Sequence, residues 1–407
     1  MRPGAVALVA LIAAVLGGLV AVVLADRSGL AGGADTDTVF TSGGGAALPV
    51  ERTVPETSAK PLLGNGFDPV AIHRARSAGV VTVYAYFDDR PPSEHAAQGS
   101  GFVISKRGDV LTSTHVVTTA GDGDRDGEAT GADRVFVAFD DGDRVPATLV
   151  GWDVYDDVAV LRVDPKAHDL SPVPLADSAR VVVGEPVAAM GSPFGNENSL
   201  AVGIVSATRR SIDSMTSDYT VADAIQTDAP ITHGNSGGPL FDARGRVIGI
   251  NAQIRTNSGQ TEGVGFAIPI NAAKRSFEQL VQTGRVAYAY VGVNAEDVTP
   301  TIARRFGYPV RRGAAIACIV SGSPGETAGL RGGRERRELN GFEFRFGGDV
   351  VVKIANKPVR SADDLVRVVS ESLLPGQVVR FTVFRDGKRL VVPVRLGERP
   401  RRPTLDC

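Results

Sequence analysis

Cysteine is nearly absent from the chain, which has two in 407 residues, Cys318 and Cys407. Cys318 falls in an apolar stretch expected to be a buried strand and Cys407 is the last residue, so no structural disulfide is expected and the core must hold the fold. No Cys/His spacing of the zinc type, no Gly-rich phosphate loop and no nucleic-acid module is present, so no cofactor or metal is required. An excess of one charge is missing too. With 44 Lys and Arg against 46 Asp and Glu the net charge is −2, which argues against a polyanionic partner such as nucleic acid. The bases are mostly arginine. At 43% hydrophobic and 22% charged residues, the composition is that of globular material with room for two or three units.

Charge is also missing from Gly4 to Ala25, 22 consecutive residues without a charged or strongly polar side chain. That is enough for about 30 Å of helix, the thickness of a bilayer core, so residues 1–26 read as a transmembrane anchor. A cleaved signal peptide ending at Val23-Leu24-Ala25 is the competing reading. Either places the bulk of the chain outside the cytoplasm, at the cell membrane or secreted. Residues 27–68 are rich in Gly, Ala, Thr, Ser and Pro without apolar periodicity and read as a flexible linker.

Chemistry enters at Thr232-His233-Gly234-Asn235-Ser236-Gly237-Gly238-Pro239-Leu240. A serine is a poor nucleophile unless a base takes its proton and backbone amides wait for the oxyanion. Gly234 allows a tight turn that can aim its own N–H and that of Ser236, with that of Asn235, into one pocket, while Gly237 and Gly238 keep side chains away. Upstream, Gly99 to Ile104 and Val110 to Val117 read as a hairpin joined by Gly108-Asp109, with His115 at the end of its second strand. Asp157 stands at the entrance of the strand Val158–Val163. The order His115, Asp157, Ser236, with gaps of 42 and 79 residues, is that of chymotrypsin-type enzymes and not of subtilisins or α/β-hydrolases. Short strands at frequent turn-bounded spacing, among them Val80–Tyr84, Val135–Phe139, Thr148–Trp152 and Val247–Asn251, suggest antiparallel barrels rather than βαβ units.

On these motifs, with Gly191-Ser192-Pro193-Phe194-Gly195, Val202-Gly203-Ile204-Val205-Ser206 and Val264-Gly265-Phe266-Ala267-Ile268-Pro269, the chain resembles the HtrA (Deg) serine proteases from about Val80 to Gly397. The resemblance implies a mainly β fold, a chymotrypsin-like double barrel over residues 69–284 followed by a PDZ domain over 286–398 and a tail over 399–407. It implies a His115, Asp157, Ser236 triad with an oxyanion hole at Gly234, Asn235 and Ser236. Tyr290-Val291-Gly292-Val293 resembles the carboxylate-binding loop of PDZ domains, where a peptide C-terminus is captured while its chain extends a sheet edge. The expected partners are unfolded or signalling proteins as substrates, C-termini at the PDZ domain and the membrane, with a homotrimer as the family's common assembly. A PDZ adaptor or chaperone-like scaffold of weak activity is the alternative class. Two departures stand out: Thr232-His233 replaces the family's Asn-Pro, and Asn235 stands where digestive serine proteases carry Asp.

Three further expectations follow. The apolar and small residues Ala229-Pro230-Ile231 and Ile250-Asn251-Ala252 suggest cleavage after small to medium aliphatic residues. Asp122, Asp124, Asp126, Gly127 and Asp133 have the spacing of a calcium loop but lack its final Glu and flanking helices, so a solvated acidic loop is the better reading. Residues 331–346 depart from a compact PDZ pattern, and their four arginines, 331, 334, 336 and 337, read as a solvated loop.

Overall fold

In the computed structural model, residues 66–88, 96–122, 129–192, 199–232, 234–252 and 264–401 are described. The candidate anchor, the linker up to residue 65, residues 123–128 of the acidic loop and His233 lie outside them. No helix among the described residues is long and apolar enough to cross a membrane.

Six strands close the first barrel: β1 (Val80–Tyr86), β2 (Ala96–Val103), β3 (Asp109–Thr112), β4 (Arg134–Ala138), β5 (Arg144–Asp153) and β6 (Val158–Val163), in the order β1-β2-β3-β6-β5-β4. A second closed barrel repeats the plan with β7 (Pro186–Gly191), β8 (Ser199–Asp213), β9 (Thr220–Thr227), β10 (Pro239–Asp242), β11 (Val247–Ala252) and β12 (Gly265–Pro269), in the order β10-β11-β12-β9-β8-β7. Closure removes the exposed sheet edges that short strands would otherwise leave open.

Strand β6 shows why the sequence reads as it does. Its run Val-Ala-Val-Leu is buried at every residue, because both of its faces are covered. Ala159, Leu161 and Val163 point into the barrel. Val158 and Val160 meet the outer cluster that contains Ala273 and Leu280 of the helix Ile270–Thr283. That helix, α3 in a chain order that starts with α1 (Pro69–Arg76) and α2 (Thr114–Val117), buries Ile270, Ala273, Ser276 and Leu280 at helical spacing and ends on Gly284 in the left-handed region. Fully burying a Leu or Ile contributes about 1.5–3 kcal/mol, so this one stripe holds the two barrels' shared flank together.

The C-terminal unit is a sheet in the order β14-β15-β18-β20-β21, with β19 (Lys357–Pro358) paired to β18. Its strands are β14 (Val293–Val298), β15 (Gly313–Ile319), β18 (Val350–Ile354), β20 (Val378–Arg385) and β21 (Lys388–Arg395). Two small pairs flank it: β13 (Ala289–Tyr290) with β22 (Gly397–Glu398), and β16 (Glu335–Leu339) with β17 (Phe342–Phe346). After the short helices α4 (Pro300–Phe306) and α5 (Pro324–Thr327), α6 (Ala362–Ser372) lays Leu365, Val368 and Val369 on the sheet. Ser361 caps it through a 3.1 Å bond to the Asp364 N–H.

Three expectations change. His115 lies on the one-turn helix α2 and not on a strand, since β3 ends at Thr112. The 331–346 stretch is the β16–β17 hairpin rather than a loop, and Arg337 stacks on Phe306 and Phe346 at 5.6 and 4.1 Å. Cys318 is disulfide-bonded; it is buried near the end of β15, opposite Asn294 of β14. The sequence has one other cysteine, Cys407, outside the described residues.

Candidate active site

The turn Asp153–Asp157 and the helix α2 are built against each other. Thr114 donates its hydroxyl to the carbonyls of Asp153 and Val158 at 2.9 and 3.0 Å, and its N–H to the Asp157 carbonyl at 3.3 Å. Val116 and Val117 are buried beneath it. Asp157 takes a left-handed φ of 54°, uncommon for a residue with a side chain. Its Oδ1 accepts the His115 N–H at 3.0 Å, and its Oδ2 lies 2.7 Å from His115 Nδ1. A carboxylate only accepts, so Nδ1 carries the proton and Nε2 presents its lone pair. Burial by itself would lower the imidazole's pKa; the Asp157 charge and hydrogen bond outweigh it and hold the pKa above its ordinary value.

Ser236 lies in the tight turn between β9 and β10. Gly234 and Gly237 have φ of 102° and 83°, conformations a side chain resists. A Cβ on Gly237 would meet the Ser100 carbonyl at 2.3 Å and Thr112 Oγ1 at 2.6 Å. The loop is fastened from outside. Ser100 on β2 receives the Ser192 N–H at 2.9 Å, donates its hydroxyl to the Gly234 carbonyl at 2.5 Å, and donates its own N–H to the Ser236 carbonyl at 2.8 Å. Asn251 on β11 takes the Gly237 N–H at 2.9 Å and aims its side-chain amide at the carbonyls of Met190, Asn235 and Pro239. The Asn235 side chain spans the loop between Thr232 N and Pro230 O.

What the loop leaves unspent matters most. Ser236 Oγ is buried and has no hydrogen-bond partner among the described residues. The Asn235 N–H reaches the Thr232 carbonyl at 3.3 Å, whereas the N–H groups of Gly234 and Ser236 make no such bond among the described residues. A buried polar group without a partner costs about 1–3 kcal/mol, and folds rarely tolerate one without a use for it. The two halves share a wall: a Cβ on Gly99 would touch Val116, next to His115, at 2.5 Å and the Ser236 carbonyl at 3.2 Å.

Ser100 and Asn251 were not singled out from sequence as fasteners of this loop. Ser100 is 134 residues from Gly234, and only its place in a Gly-flanked strand marked it. Asn251 is a polar residue in a strand buried throughout, which is a usable signal.

In the C-terminal unit Tyr290, Val291, Gly292 and Val293 run from β13 into β14, with Gly292 at φ 76°. Among the described residues strand β14 pairs with β15 on one side only. Val293 and Ala295 pack towards the cluster of Leu365 and Val368, so a strip between β14 and α6 is apolar. Its far end is tied by Asp297 Oδ1, which accepts the Ala362 N–H at 2.7 Å. Helix α6 also reaches the second barrel: Ser211 donates to Asp363 at 2.8 Å and Arg367 stands 3.6 Å from Asp223. A cavity of about 750 Å³ opens there, lined by Asp223, Arg275, Arg367 and Glu371 among others; no triad candidate lines it. Burial and then the facing carboxylate push the Glu371 carboxyl up to about 7.

Comparison with known proteins agrees with this layout. Residues 99–250 match the trypsin-like peptidase domain and residues 289–396 the PDZ domain. A probable periplasmic serine endoprotease, DegP-like, from Hahella chejuensis is 39% identical over 311 residues, 76% of this chain and 59% of that protein. The corresponding protein of Pseudomonas fulva is 37% identical over 307 residues, 75% of this chain and 57% of its own. The chain thus spans under three fifths of the length of these curated relatives. Among solved structures, the HtrA-type protease AlgW with tripeptide superposes with a TM-score of 0.66 at 30% identity, covering 82% of this chain and 98% of the other. The serine endoprotease from Yersinia pestis gives 0.57 at 27% identity, with 82% and 98% covered.

Proposed function

Because this chain belongs to the HtrA-type, DegP-like serine proteases, we propose that it is a serine endopeptidase that hydrolyses peptide bonds of misfolded or signalling proteins outside the cytoplasm. The observation that carries this reading is an oriented imidazole in the same fold as an unspent serine: His115 Nδ1 is 2.7 Å from Asp157, while Ser236 Oγ is buried without a partner among the described residues.

In the reaction His115 Nε2 takes the Ser236 proton as Oγ attacks the scissile carbonyl. Asp157 fixes the tautomer and stabilises the imidazolium. The N–H groups of Gly234 and Ser236, which make no backbone bond among the described residues, are the donors assigned to the developing oxyanion; the Asn235 N–H, bonded to the Thr232 carbonyl, supports the loop rather than the charge. His115 then passes the proton to the leaving amine, and water repeats the cycle on the acyl-enzyme. No metal is needed for any step. Ile231 and Ala252 near the loop favour small to medium aliphatic residues before the cut.

The open edge of β14 beside Tyr290–Val293 suits an extended peptide whose C-terminal carboxylate meets the loop amides. The likeness to a neighbour solved with a tripeptide and the resemblance to PDZ domains support peptide C-termini as the ligand class, with Gly4–Ala25 anchoring the chain to the membrane.

The test is cleavage of casein by the full-length chain beside Ser236→Ala. The parent is expected to cut and the variant not. If the parent stays silent even with C-terminal peptides present, yet binds those peptides, the chain is an adaptor and the reading fails.

A further inference from the structure

The turn that presents Asp157 is held from a third direction that the triad chemistry does not use. Asp153 and Asp156 are both buried, and the phenol of Tyr288, the residue before β13 at the entry to the PDZ unit, stands between them. Its hydroxyl oxygen is 2.5 Å from Asp153 Oδ2 and 2.7 Å from Asp156 Oδ2. Ser276 of α3 donates to Asp153 Oδ2 at 2.6 Å, and Arg275 donates to Asp156 Oδ2 at 2.8 Å. The other oxygen of Asp153 accepts the N–H groups of Tyr155 at 2.9 Å and Asp156 at 3.4 Å, so this carboxyl caps the very turn that ends in Asp157.

Proton counting defines the bridge. A phenol has one proton and cannot donate to two carboxylates. Asp156 has the Arg275 cation beside it and is the natural acceptor. Asp153 has no cation in hydrogen-bond contact among the described residues, and when it holds a proton the path is complete: Asp153 O–H donates to Tyr288 O, Tyr288 O–H donates to Asp156, and Arg275 donates to Asp156. Burial first, then the Asp156 charge, pushes the Asp153 carboxyl up to about 6, against the opposing bonds from Ser276, Tyr288 and the Tyr155 amide. The same phenol is gripped by the end of the PDZ unit. The Arg399 N–H donates to the Tyr288 carbonyl at 2.8 Å, and its guanidinium lies 5.0 to 5.3 Å from the rings of Tyr155, Tyr219 and Tyr288. The Tyr155 hydroxyl oxygen lies 3.2 Å from the carbonyls of both Arg399 and Pro400, sharing its one proton between them, and the Tyr219 hydroxyl donates to Pro400 at 3.0 Å.

We propose that Tyr288 is a positioning residue for Asp157: its hydroxyl, bridging Asp153 and Asp156, fixes the turn that aims Asp157 at His115. The role in turnover rests on the protease reading above; the geometric coupling to His115 does not.

Tyr288→Phe keeps the ring among Tyr155, Arg275 and Arg399 and removes only the bridge. In the full-length chain we expect kcat on casein-derived peptides to fall about tenfold, less than the ~10²-fold that a 1 Å misplacement can cost, with KM within about twofold of the parent. The decisive readout needs no turnover. His115, assigned by loss of its signal in His115→Ala, is titrated by NMR, and with Asp157 held less well its midpoint should move to lower pH in Tyr288→Phe. Asp153→Asn keeps the acceptor for the two turn amides and a donor toward the phenol, and should hold the parent midpoint; Asp153→Ala should lower it. That pair decides the matter even if Tyr288→Phe does not fold. A parent that titrates as expected but cleaves nothing would sink the protease reading and leave the coupling standing. Equal His115 midpoints in the parent, Tyr288→Phe and Asp153→Ala would overturn the proposal.

Discussion

Asp157 and Ser236 come from different barrels, and their surroundings differ in one respect. Both carboxylate oxygens of Asp157 are occupied, one by the His115 N–H and one by its ring, and the turn behind them is clamped by Thr114, Ser276 and Tyr288. Around Ser236 the clamps are as numerous, yet they grip the loop's carbonyls and the N–H groups of Thr232 and Gly237. Oγ and the N–H groups of Gly234 and Ser236 stay unspent among the described residues. The first barrel's half is finished without substrate, whereas the second half is rigid and unsatisfied. Such a division suits catalysis by preorganised dipoles: the cost of holding donors idle is borne in folding and recovered when charge develops.

The largest expected effect separates the halves by role. His115→Ala should lower kcat about 10⁶-fold, as loss of a base or nucleophile does in triads, whereas Asp157→Asn should cost about 10⁴-fold by favouring the wrong tautomer. Equal losses in steady-state assays would erase the distinction between base and orienting group. Next, Gly237→Ala should strike the second half through its backbone. At φ 83°, with Ser100 O 2.3 Å from the new Cβ, strain of roughly 1–3 kcal/mol is expected, read as a lower urea midpoint. An unchanged midpoint would mean that the loop is softer than the geometry says.

The smallest and most diagnostic effect is in pH. In the proposed reaction His115 must be neutral to act, and its pKa is held above the ordinary 6.5 by Asp157 against the pull of burial. The acid limb of kcat/KM should therefore have its midpoint above pH 6.5, and Asp157→Asn should shift it down. Stability runs the opposite way. A raised folded pKa means that the His115–Asp157 pair's contribution is fully present below pH 6.5 and is lost as pH rises through the folded value. Thermal melts should show that slope in the parent and not in Asp157→Asn.

Much of this was legible in the sequence because local chemistry dictates it. Gly-Asn-Ser-Gly-Gly forces a positive-φ turn, and the double-faced burial of Val158–Leu161 writes itself as an unbroken apolar run. His115 on α2 was misplaced by a few residues, since Val116 and Val117 are apolar in strand and helix alike. The residues that fasten the site were hidden by distance. Ser100 meets Gly234 across 134 residues, and Tyr288 meets Asp153 across 135. Side-chain bonds of that span follow from the packing of two barrels and a third unit, which no local pattern encodes. The β16–β17 hairpin was concealed by its arginines, which read as solvated although Arg337 lays its guanidinium over Phe306 and Phe346.

The central claim is that a poised base and an unspent serine meet in the folded chain, and it is tested most directly by active-site labelling. The full-length protein is treated with a fluorophosphonate and the intact mass and modified residue are determined, with His115→Ala alongside. One adduct per chain on Ser236, formed at least 10³-fold faster than in His115→Ala, is the result this account predicts. An unlabelled Ser236 in the folded parent, or equal rates in the two proteins, would contradict it.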